Sequence, residues 1–327
     1  MPPKLSDLGE RSVISVIRKQ YAYGWPDDDA SLIDAGRNYT LITTDSISER
    51  SHIPRGADYS SVGYYFAALN LSDIAAMGGT PKYFMAAMTL KRNMPLADLV
   101  KIQKGMDRCL TKYAAKLIGG DLKEGQQLSM AGIAIGTVPK KKVLLRSGAR
   151  QGDLVCLTGK LGKNAAAYYM WKKYGGKKWA QLVIDIEPRV REGIMVAQDG
   201  GSSAIDLSDG LNASILHLNR ISGRGFEIDY DRLPVSGLAR QVSKRLKISL
   251  EDLALNFGGE YELVFTISKR NFSRLGPAMR RRGFEVTVIG RVLGKDAILL
   301  KDGKRTAITK ADTSTSDEYD ERVHSLL

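Results

Sequence analysis

The pattern of apolar and polar positions predicts helices and strands mixed along the whole chain. Apolar residues spaced three or four positions apart, or filling a longer run, predict helices over 8–21, 59–69, 95–117, 163–174, 188–198, 210–221 and 270–282. Alternating or short apolar runs predict strands over 39–44, 83–90, 127–138, 154–158, 203–207, 261–266 and 285–292. A further short helix is predicted after Leu71, with Ser72 as its N-cap, Asp73 in its first turn and Gly78-Gly79 as its stop.

The polar, turn-like stretch Pro139 to Lys142 separates two such series of elements. Because strands and helices mix in both halves, the sequence predicts two mixed α/β domains, an α/β (α+β) fold, with a boundary near 139–150. The predicted ranges are 1–140, 141–306 and a polar C-terminal tail over 307–327. A length of 327 residues agrees with about two domains, which commonly hold ~100–200 residues each.

Composition indicates an ordinary globular protein, with 43% hydrophobic and 26% charged residues. The first residues lack the apolar core of a signal peptide, and no run approaches the ~20 apolar residues of a membrane-spanning helix. The two cysteines, Cys109 and Cys156, are too few and too scattered for a disulfide framework or a zinc site. We therefore expect a cytoplasmic protein with no membrane partner.

The formal net charge of +13 has two interpretations: a basic, solvated surface, or attraction of an anion such as nucleic acid, a membrane surface or a phosphorylated small molecule. The basic clusters are spread along the chain, and no aromatic-and-basic recognition motif accompanies them. The sequence therefore predicts no nucleic-acid partner, and a basic nucleic-acid-binding protein is kept as the remote alternative.

Several common catalytic motifs are absent from the sequence. No stretch fits a P-loop, since 157–164 fails at its first and last positions, and there is no G-x-S-x-G or H-E-x-x-H motif. Only His52, His217 and His324 are present, which disfavours acid–base chemistry based on histidine.

Aspartates instead gather at the predicted element ends, where small or hydroxyl residues surround them. These aspartates are Asp28, Asp29, Asp45, Asp73, Asp121, Asp206 and Asp209. Each could be an ordinary helix cap or loop residue. Carboxylates at strand ends converge on one edge of a sheet, and oxygen ligands without His or Cys indicate Mg²⁺.

Longer motifs resemble those of the thiamine-monophosphate kinases, in the superfamily that includes aminoimidazole ribonucleotide synthetase. The matching stretches follow the family's order and spacing over nearly the whole chain: DDASLI (28–33), TTDSISERSH (43–52), NLSDIAAMGGTP (70–81), IGGD (118–121), RSGARQGDLVCLTGKLG (146–162), AIDLSDGL (204–211) and GGEYELVFT (258–266). The resemblance implies the aminoimidazole ribonucleotide synthetase fold, and a homodimer whose N-terminal domains share a β-barrel.

The same resemblance implies ATP-dependent phosphorylation of thiamine monophosphate to thiamine diphosphate, by direct in-line transfer assisted by several Mg²⁺ ions. The implied metal ligands are Asp29, Thr43, Thr44, Asp45, Asp73, Asp121, Asp206 and Asp209. The implied ATP-binding residues are Gly120, Asp121, Arg146 and Ser208, and those for thiamine monophosphate are His52, Glu260 and Tyr319. The accepting phosphate is already ionised at neutral pH, since its second pKa is ~6, so no catalytic base is expected.

Two departures from the family pattern bear on the site. Asp27 stands where the family has Gly, and we expect it to be solvated, with Asp28 supporting and Asp29 binding metal. One residue is missing from the family's GGEDYEL, which leaves Glu260 less certain because a one-residue change before a strand reverses side-chain direction. Another ATP-dependent enzyme of the superfamily, acting on a different phosphorylated small molecule, is the nearer alternative.

Overall fold

The computed structural model describes residues 27–309, together with Val13, Val16 and Ile17. Those three residues are helical, and the rest of the helix predicted over 8–21 lies outside the described residues. Residues 310–327 also lie outside them, so the predicted role of Tyr319 stays a prediction.

The first half of the described chain forms one mixed sheet covered by two helices. Its elements are β1 (Ser31–Ala35), β2 (Asn38–Ser48), α1 (Tyr59–Ala76), β3 (Thr80–Lys91), α2 (Leu96–Lys112), β4 (Lys116–Gly125) and β5 (Ser129–Pro139). The strand order is β1-β2-β5-β3-β4, and only β3 and β4 run parallel. The described sheet is therefore open, with β1 and β4 at its edges, and it does not close into a barrel within this chain.

Helix α1 is continuous, so the predicted break before Ser72 is wrong. The polar residues near this point do not end the helix because they have partners outside it or on its own backbone. Asn70 donates to the Phe66 carbonyl, and Ser72 donates to Asp206 at 2.6 Å. Most of the helix is buried, and polar groups within a buried helix need such partners.

Strand β4 corrects the C-terminal end of the long helix predicted over 95–117. The helix ends at Lys112, and Lys116 and Leu117 already pair with β3. Gly120 pairs with Ala86 of β3, and a Cβ there would lie 2.0 Å from the Ala86 carbonyl oxygen, so only glycine fits at this position. The IGGD motif therefore lies on an exposed edge strand rather than in a loop after a helix.

The second half forms a seven-stranded sheet with helices on both faces. Its elements are β6 (Leu154–Thr158), α3 (Lys163–Tyr174), α4 (Lys177–Val183), α5 (Val190–Gln198), β7 (Gly201–Asp206), α6 (Leu211–Ser222), β8 (Gly225–Asp229), α7 (Gly237–Leu246), β9 (Leu263–Ile267), α8 (Lys269–Arg281), β10 (Val286–Leu293), β11 (Ala297–Lys301) and β12 (Lys304–Ala307). The order is β12-β11-β8-β10-β6-β9-β7. The predicted mixed α/β fold is confirmed.

The sequence of strand β6 is apolar at almost every position, because both faces of the strand are buried. Cys156 faces a core shared with α5 and α8, whereas Val155 and Leu157 face a core shared with α6. A strand buried on both faces has no polar side to alternate with. The described helices include none that is both long and apolar enough to cross a membrane.

The two halves meet where α1 packs against α5. A Cβ on Gly193 of α5 would lie 2.1 Å from the Ala75 carbonyl oxygen, so the two backbones approach closely at this point. This contact brings the last turn of α1 next to the end of β7, and the candidate site forms there.

Candidate active site

Three carboxylates from different parts of the chain converge at the junction of the two halves. Asp29, Asp73 and Asp206 each offer an oxygen that lies within 4.8 Å of the oxygens offered by the other two. Asp29 precedes β1, Asp73 lies in the last turn of α1, and Asp206 ends β7. The prediction that these aspartates gather is confirmed for the three, although they meet between two sheets rather than along one sheet edge.

Hydroxyl groups from neighbouring elements orient two of these carboxylates. Thr43 Oγ1 donates to Asp73 Oδ2 at 2.5 Å, and Ser72 Oγ donates to Asp206 Oδ2 at 2.6 Å. Asp45 lies two residues beyond Thr43 on the same face of β2, and its backbone N–H donates to Asn70 Oδ1 at 3.0 Å. Asp45 was predicted at a strand end, but β2 continues to Ser48.

The carboxylates of this cluster repel one another, and this repulsion helps to raise the pKa of two of them. Burial, followed by the charges of Asp45, Asp206 and Asp29, raises the pKa of Asp73 well above its ordinary value. Burial and then Asp29 raise the pKa of Asp206 to about 8. Carboxylates held together against such a cost are typical of a site that receives positive charge.

Arg146 supplies positive charge on one side of the cluster. Its Nη2 and Nε donate to the two oxygens of Asp29 at 2.7 and 3.1 Å, and its backbone N–H donates to Asp28 Oδ1 at 2.7 Å. Burial alone would lower the pKa of Arg146, but Asp29, together with Asp206 and Asp73, raises it above its ordinary value, so the group stays charged. Asp28 therefore supports the site through the Arg146 backbone, and burial raises its pKa.

Asp27 is not solvated, which corrects the prediction for this position. Its side chain is only 19% exposed, with Oδ2 lying 2.8 Å from Arg220 Nη2 and Oδ1 lying 3.2 Å from His217 Nε2. Arg220 is 193 residues away along the chain, so no local pattern could have shown this pairing.

Four other predicted residues are not part of this three-carboxylate group. Thr44 is exposed on the opposite face of β2 from Thr43, because side chains alternate along a strand. Asp121 is exposed on β4 beside Lys123, one residue after Gly120. Ser208 and Asp209 lie in the loop between β7 and α6, where the Ser208 carbonyl accepts from the Gly259 N–H at 2.8 Å.

A cleft of about 820 Å³ opens between the loop 49–56 of the first half and α3 of the second half. His52 lines it, as do the aromatic rings of Tyr168, Trp171 and Phe257. Trp171 Nε1 donates to the Arg55 carbonyl at 3.0 Å and so joins the two walls. The aromatic lining was not predicted, because 163–174 reads only as a helix and its partners lie far away in sequence.

The shortened GGEYEL motif borders both the cleft and the carboxylates. Tyr261 adopts a positive φ of 53°, and its ring meets that of Tyr65 edge to face at 6.3 Å. Glu260 is buried; its Oε1 accepts from the Gly162 N–H at 2.9 Å, whereas its Oε2 has no hydrogen-bond partner among the described residues. Burial raises the pKa of Glu260 to about 8.

The donor set of the junction suits a hard divalent cation. All of its ligand atoms are oxygens, from Asp29, Asp73 and Asp206, with the Asp45 carboxylate close enough to influence the other charges. Mg²⁺ prefers such oxygens and usually completes its shell with water and phosphate. A cation held here could therefore neutralise phosphate groups beside a cleft that has room for an aromatic molecule.

Comparisons with known proteins agree with this geometry. The model of the family AIR synthase related protein, N-terminal domain, matches residues 27–138. The thiamine-monophosphate kinase of Pyrococcus horikoshii is 32% identical over 302 residues, covering 91% of this chain and 92% of that protein. The thiamine-monophosphate kinase of Escherichia coli is 33% identical over 288 residues, covering 85% and 87%.

Solved structures show the same similarity in three dimensions. A structure described as AaThiL complexed with AMPPCP and TMP superposes with a TM-score of 0.84 at 25% sequence identity. The superposition covers 94% of this chain and 97% of that one.

Proposed function

The chain belongs to the thiamine-monophosphate kinase family, and on that basis we propose that it phosphorylates thiamine monophosphate with ATP. A phosphate oxygen of thiamine monophosphate attacks the terminal phosphorus of ATP. The bond between that phosphorus and the bridging oxygen breaks, which yields ADP and thiamine diphosphate. An in-line displacement of this kind depends on positioning and charge neutralisation, so it requires no general base from the protein.

The carboxylates of the junction would hold several Mg²⁺ ions. Asp29, Asp73 and Asp206 form the core of this site, with Thr43 and Asp45 next to them. Thr44, Asp121 and Asp209 are not part of this group, and their roles as ligands stay predictions. When bound, Mg²⁺ would neutralise phosphate charge and align the attacking and leaving oxygens. Thr43 and Ser72 contribute by fixing the rotamers of the carboxylates to which they donate hydrogen bonds.

Different residues of the protein would bind the two substrates. Arg146 lies at the carboxylates and would face the ATP phosphates, as would Ser208 and the Gly120–Asp121 pair by family resemblance. Thiamine monophosphate would occupy the 820 Å³ cleft beside His52, with its aromatic rings against Trp171. Glu260 follows Gly258 and Gly259, which line the cleft, and its contact with thiamine monophosphate stays a prediction, as does that of Tyr319 outside the described residues.

One observation carries this proposal: three mutually repelling carboxylates, whose oxygens come within 4.8 Å of one another, lie beside a large cleft with aromatic walls. The carboxylates suit a phosphate-bound cation, and the cleft suits an acceptor with planar rings. A basic nucleic-acid-binding protein would give no reason for either feature.

We also propose a homodimer built on the first sheet. The face of this sheet that α1 and α2 leave uncovered carries Ile42, Ile133, Ile135 and Tyr83, and Tyr83 is 45% exposed. A second copy of this face would bury these residues and could close the shared barrel. The two buried free thiols, Cys109 and Cys156, agree with the proposed cytoplasmic location.

The decisive experiment incubates the protein with ATP, Mg²⁺ and thiamine monophosphate and follows products by chromatography and ³¹P NMR. We expect thiamine diphosphate and ADP in equal amounts, and no product after chelation of Mg²⁺. Consumption of ATP with another phosphorylated acceptor, and none with thiamine monophosphate, would contradict the substrate assignment. Light scattering with and without Tyr83→Glu tests the dimer, since a buried charge there should dissociate it.

A further inference from the structure

The acidic run Asp27-Asp28-Asp29 surrounds a single residue, Arg146. Asp28 binds its backbone N–H, and Asp29 binds the Nε–Nη2 edge of its guanidinium. The other edge points to Asp27, whose backbone carbonyl oxygen lies 3.4 Å from Nη1 and whose Oδ1 lies 4.0 Å from it. Arg146 is therefore held at its backbone and along both edges of its planar head group.

The Nη1 edge also meets His217 and a second arginine. His217 Nε2 lies 3.2 Å from Arg146 Nη1 and 3.4 Å from Arg220 Nη2, so the two guanidinium groups approach the same imidazole. Two like charges this close repel one another. The Asp27 carboxylate contacts His217 and Arg220 directly and lies near Arg146, so it compensates this repulsion.

Because of the geometry of the Arg146 guanidinium, contacts at Nη1 affect how its Nε–Nη2 edge is oriented. The group is planar and rigid, and its donors point in fixed directions. Fixing Nη1 beside Asp27 and His217 therefore sets the direction in which Nε and Nη2 point. Asp27 is not one of the three clustered carboxylates, and its proximity to Arg146 gives it a route to them.

We propose that Asp27, acting with His217, is a positioning residue that fixes the orientation of Arg146 toward Asp29 and the nucleotide. This inference rests on the proposed function, in which Arg146 contacts ATP. Asp27 lies just before the stretch 28–33 that carries the family resemblance.

The test compares Asp27→Asn with wild type in calorimetric binding of the ATP analogue AMPPCP in Mg²⁺. Asn retains the size of the side chain and removes its charge. We expect a Kd about fivefold to tenfold higher, the difference expected when one charge-assisted contact is lost. The KM for ATP should rise in parallel, with the KM for thiamine monophosphate unchanged. Asp34→Asn, which removes an exposed carboxylate paired with Lys140, is the matched control and should leave both constants unchanged.

A double-mutant cycle decides whether Asp27 acts through Arg146. In an Arg146→Gln background, Asp27→Asn should change the AMPPCP Kd by less than about twofold, because the group it positions is gone. An equal loss in both backgrounds, or no loss in the single variant, would overturn the inference. Asp27→Glu, which retains the charge, should bind within about threefold of wild type, and a tenfold loss would also count against it. If AMPPCP binds but no thiamine diphosphate forms, the proposed acceptor fails while the cycle still decides on Asp27.

Discussion

Replacing Asp73 by Asn should make the ligand-free protein more stable while abolishing its activity. The side chains of Asp29, Asp73 and Asp206 place oxygens within 4.8 Å of one another. Two unit charges at that distance repel by about 3 kcal/mol at an effective dielectric constant of ~20. Asp73 also lies in the last turn of α1, where the negative end of the helix dipole disfavours a carboxylate.

The size of the effect follows from what Asn changes and what it retains. Asn has nearly the same volume, and its Oδ1 can still accept the hydrogen bond from Thr43, so no cavity or unpaired hydroxyl is created. Burial and neighbouring charges raise the pKa of Asp73, so protonation already relieves part of the repulsion at neutral pH. We therefore expect the free energy of unfolding to rise by about 1–3 kcal/mol in the absence of divalent cations.

The assay is urea unfolding of wild type and Asp73→Asn in EDTA, repeated with Mg²⁺ and AMPPCP. Ligand should raise the unfolding midpoint of wild type but not of the variant, because only wild type binds it well. Turnover should fall at least about 100-fold, since weaker changes around a metal ligand already cost ~10–100-fold. Asp34→Asn is the control and should stay within about 0.5 kcal/mol of wild type. A variant that is less stable than wild type in EDTA, or that keeps its turnover, would refute the reasoning.

Three further outcomes can be checked independently. Burial raises the pKa of Glu260 to about 8, so the folded state keeps a proton that the unfolded state releases above ~4.5. The free energy of unfolding should therefore fall as the pH rises from ~4.5 to about 8. Glu260→Gln should make this fall shallower, which urea unfolding midpoints measured across this pH range would show. Trp171→Phe removes the hydrogen bond to the Arg55 carbonyl and should raise the KM for thiamine monophosphate about twofold to fivefold with kcat unchanged, as steady-state kinetics would show. Gly120→Ala would place a Cβ 2.0 Å from the Ala86 carbonyl oxygen and should lower the free energy of unfolding by about 1–3 kcal/mol in urea.

Each of these substitutions has a control of the same chemistry elsewhere in the chain. Glu285→Gln alters an exposed glutamate and should leave the pH profile steep. Trp179→Phe should leave the KM unchanged, because Trp179 does not line the cleft. Gly119→Ala should be tolerated, since its nearest new neighbour is a flexible Met85 side chain at 3.7 Å. If a control variant and its test variant have equal effects, the physical explanation given for the test variant is wrong.

The sequence predicted best those elements whose pattern is local. The strand over 154–158 and the helix over 163–174 agree with the structure at both ends, because turn residues flank apolar runs there. The break before Ser72 failed for the opposite reason. Ser72 faces a partner 134 residues away, and a buried polar residue with a distant partner looks like a helix boundary in one dimension.

The candidate site shows the same division. Asp29, Asp73, Asp206 and His52 could be predicted because they lie in or beside recognisable motifs, whereas the aromatic wall of the cleft could not, because Trp171 comes from a helix without a motif of its own. Strand β4 was missed because exposed glycine-rich sequence carries no apolar alternation. Asp27 was misjudged because burial by Arg220 is visible only in three dimensions.

The division of the carboxylates between the two halves has a consequence for how the protein holds together. Asp29 and Asp73 belong to the first half and Asp206 to the second, so their repulsion acts across the contact between α1 and β7. Without a cation, electrostatic repulsion pushes the two sides of this contact apart. The hydrogen bond from Ser72 to Asp206 and the close packing of α1 on α5 oppose this repulsion. A cation bound between these carboxylates would therefore attract both halves of the protein, and its removal should weaken the contact between α1 and β7.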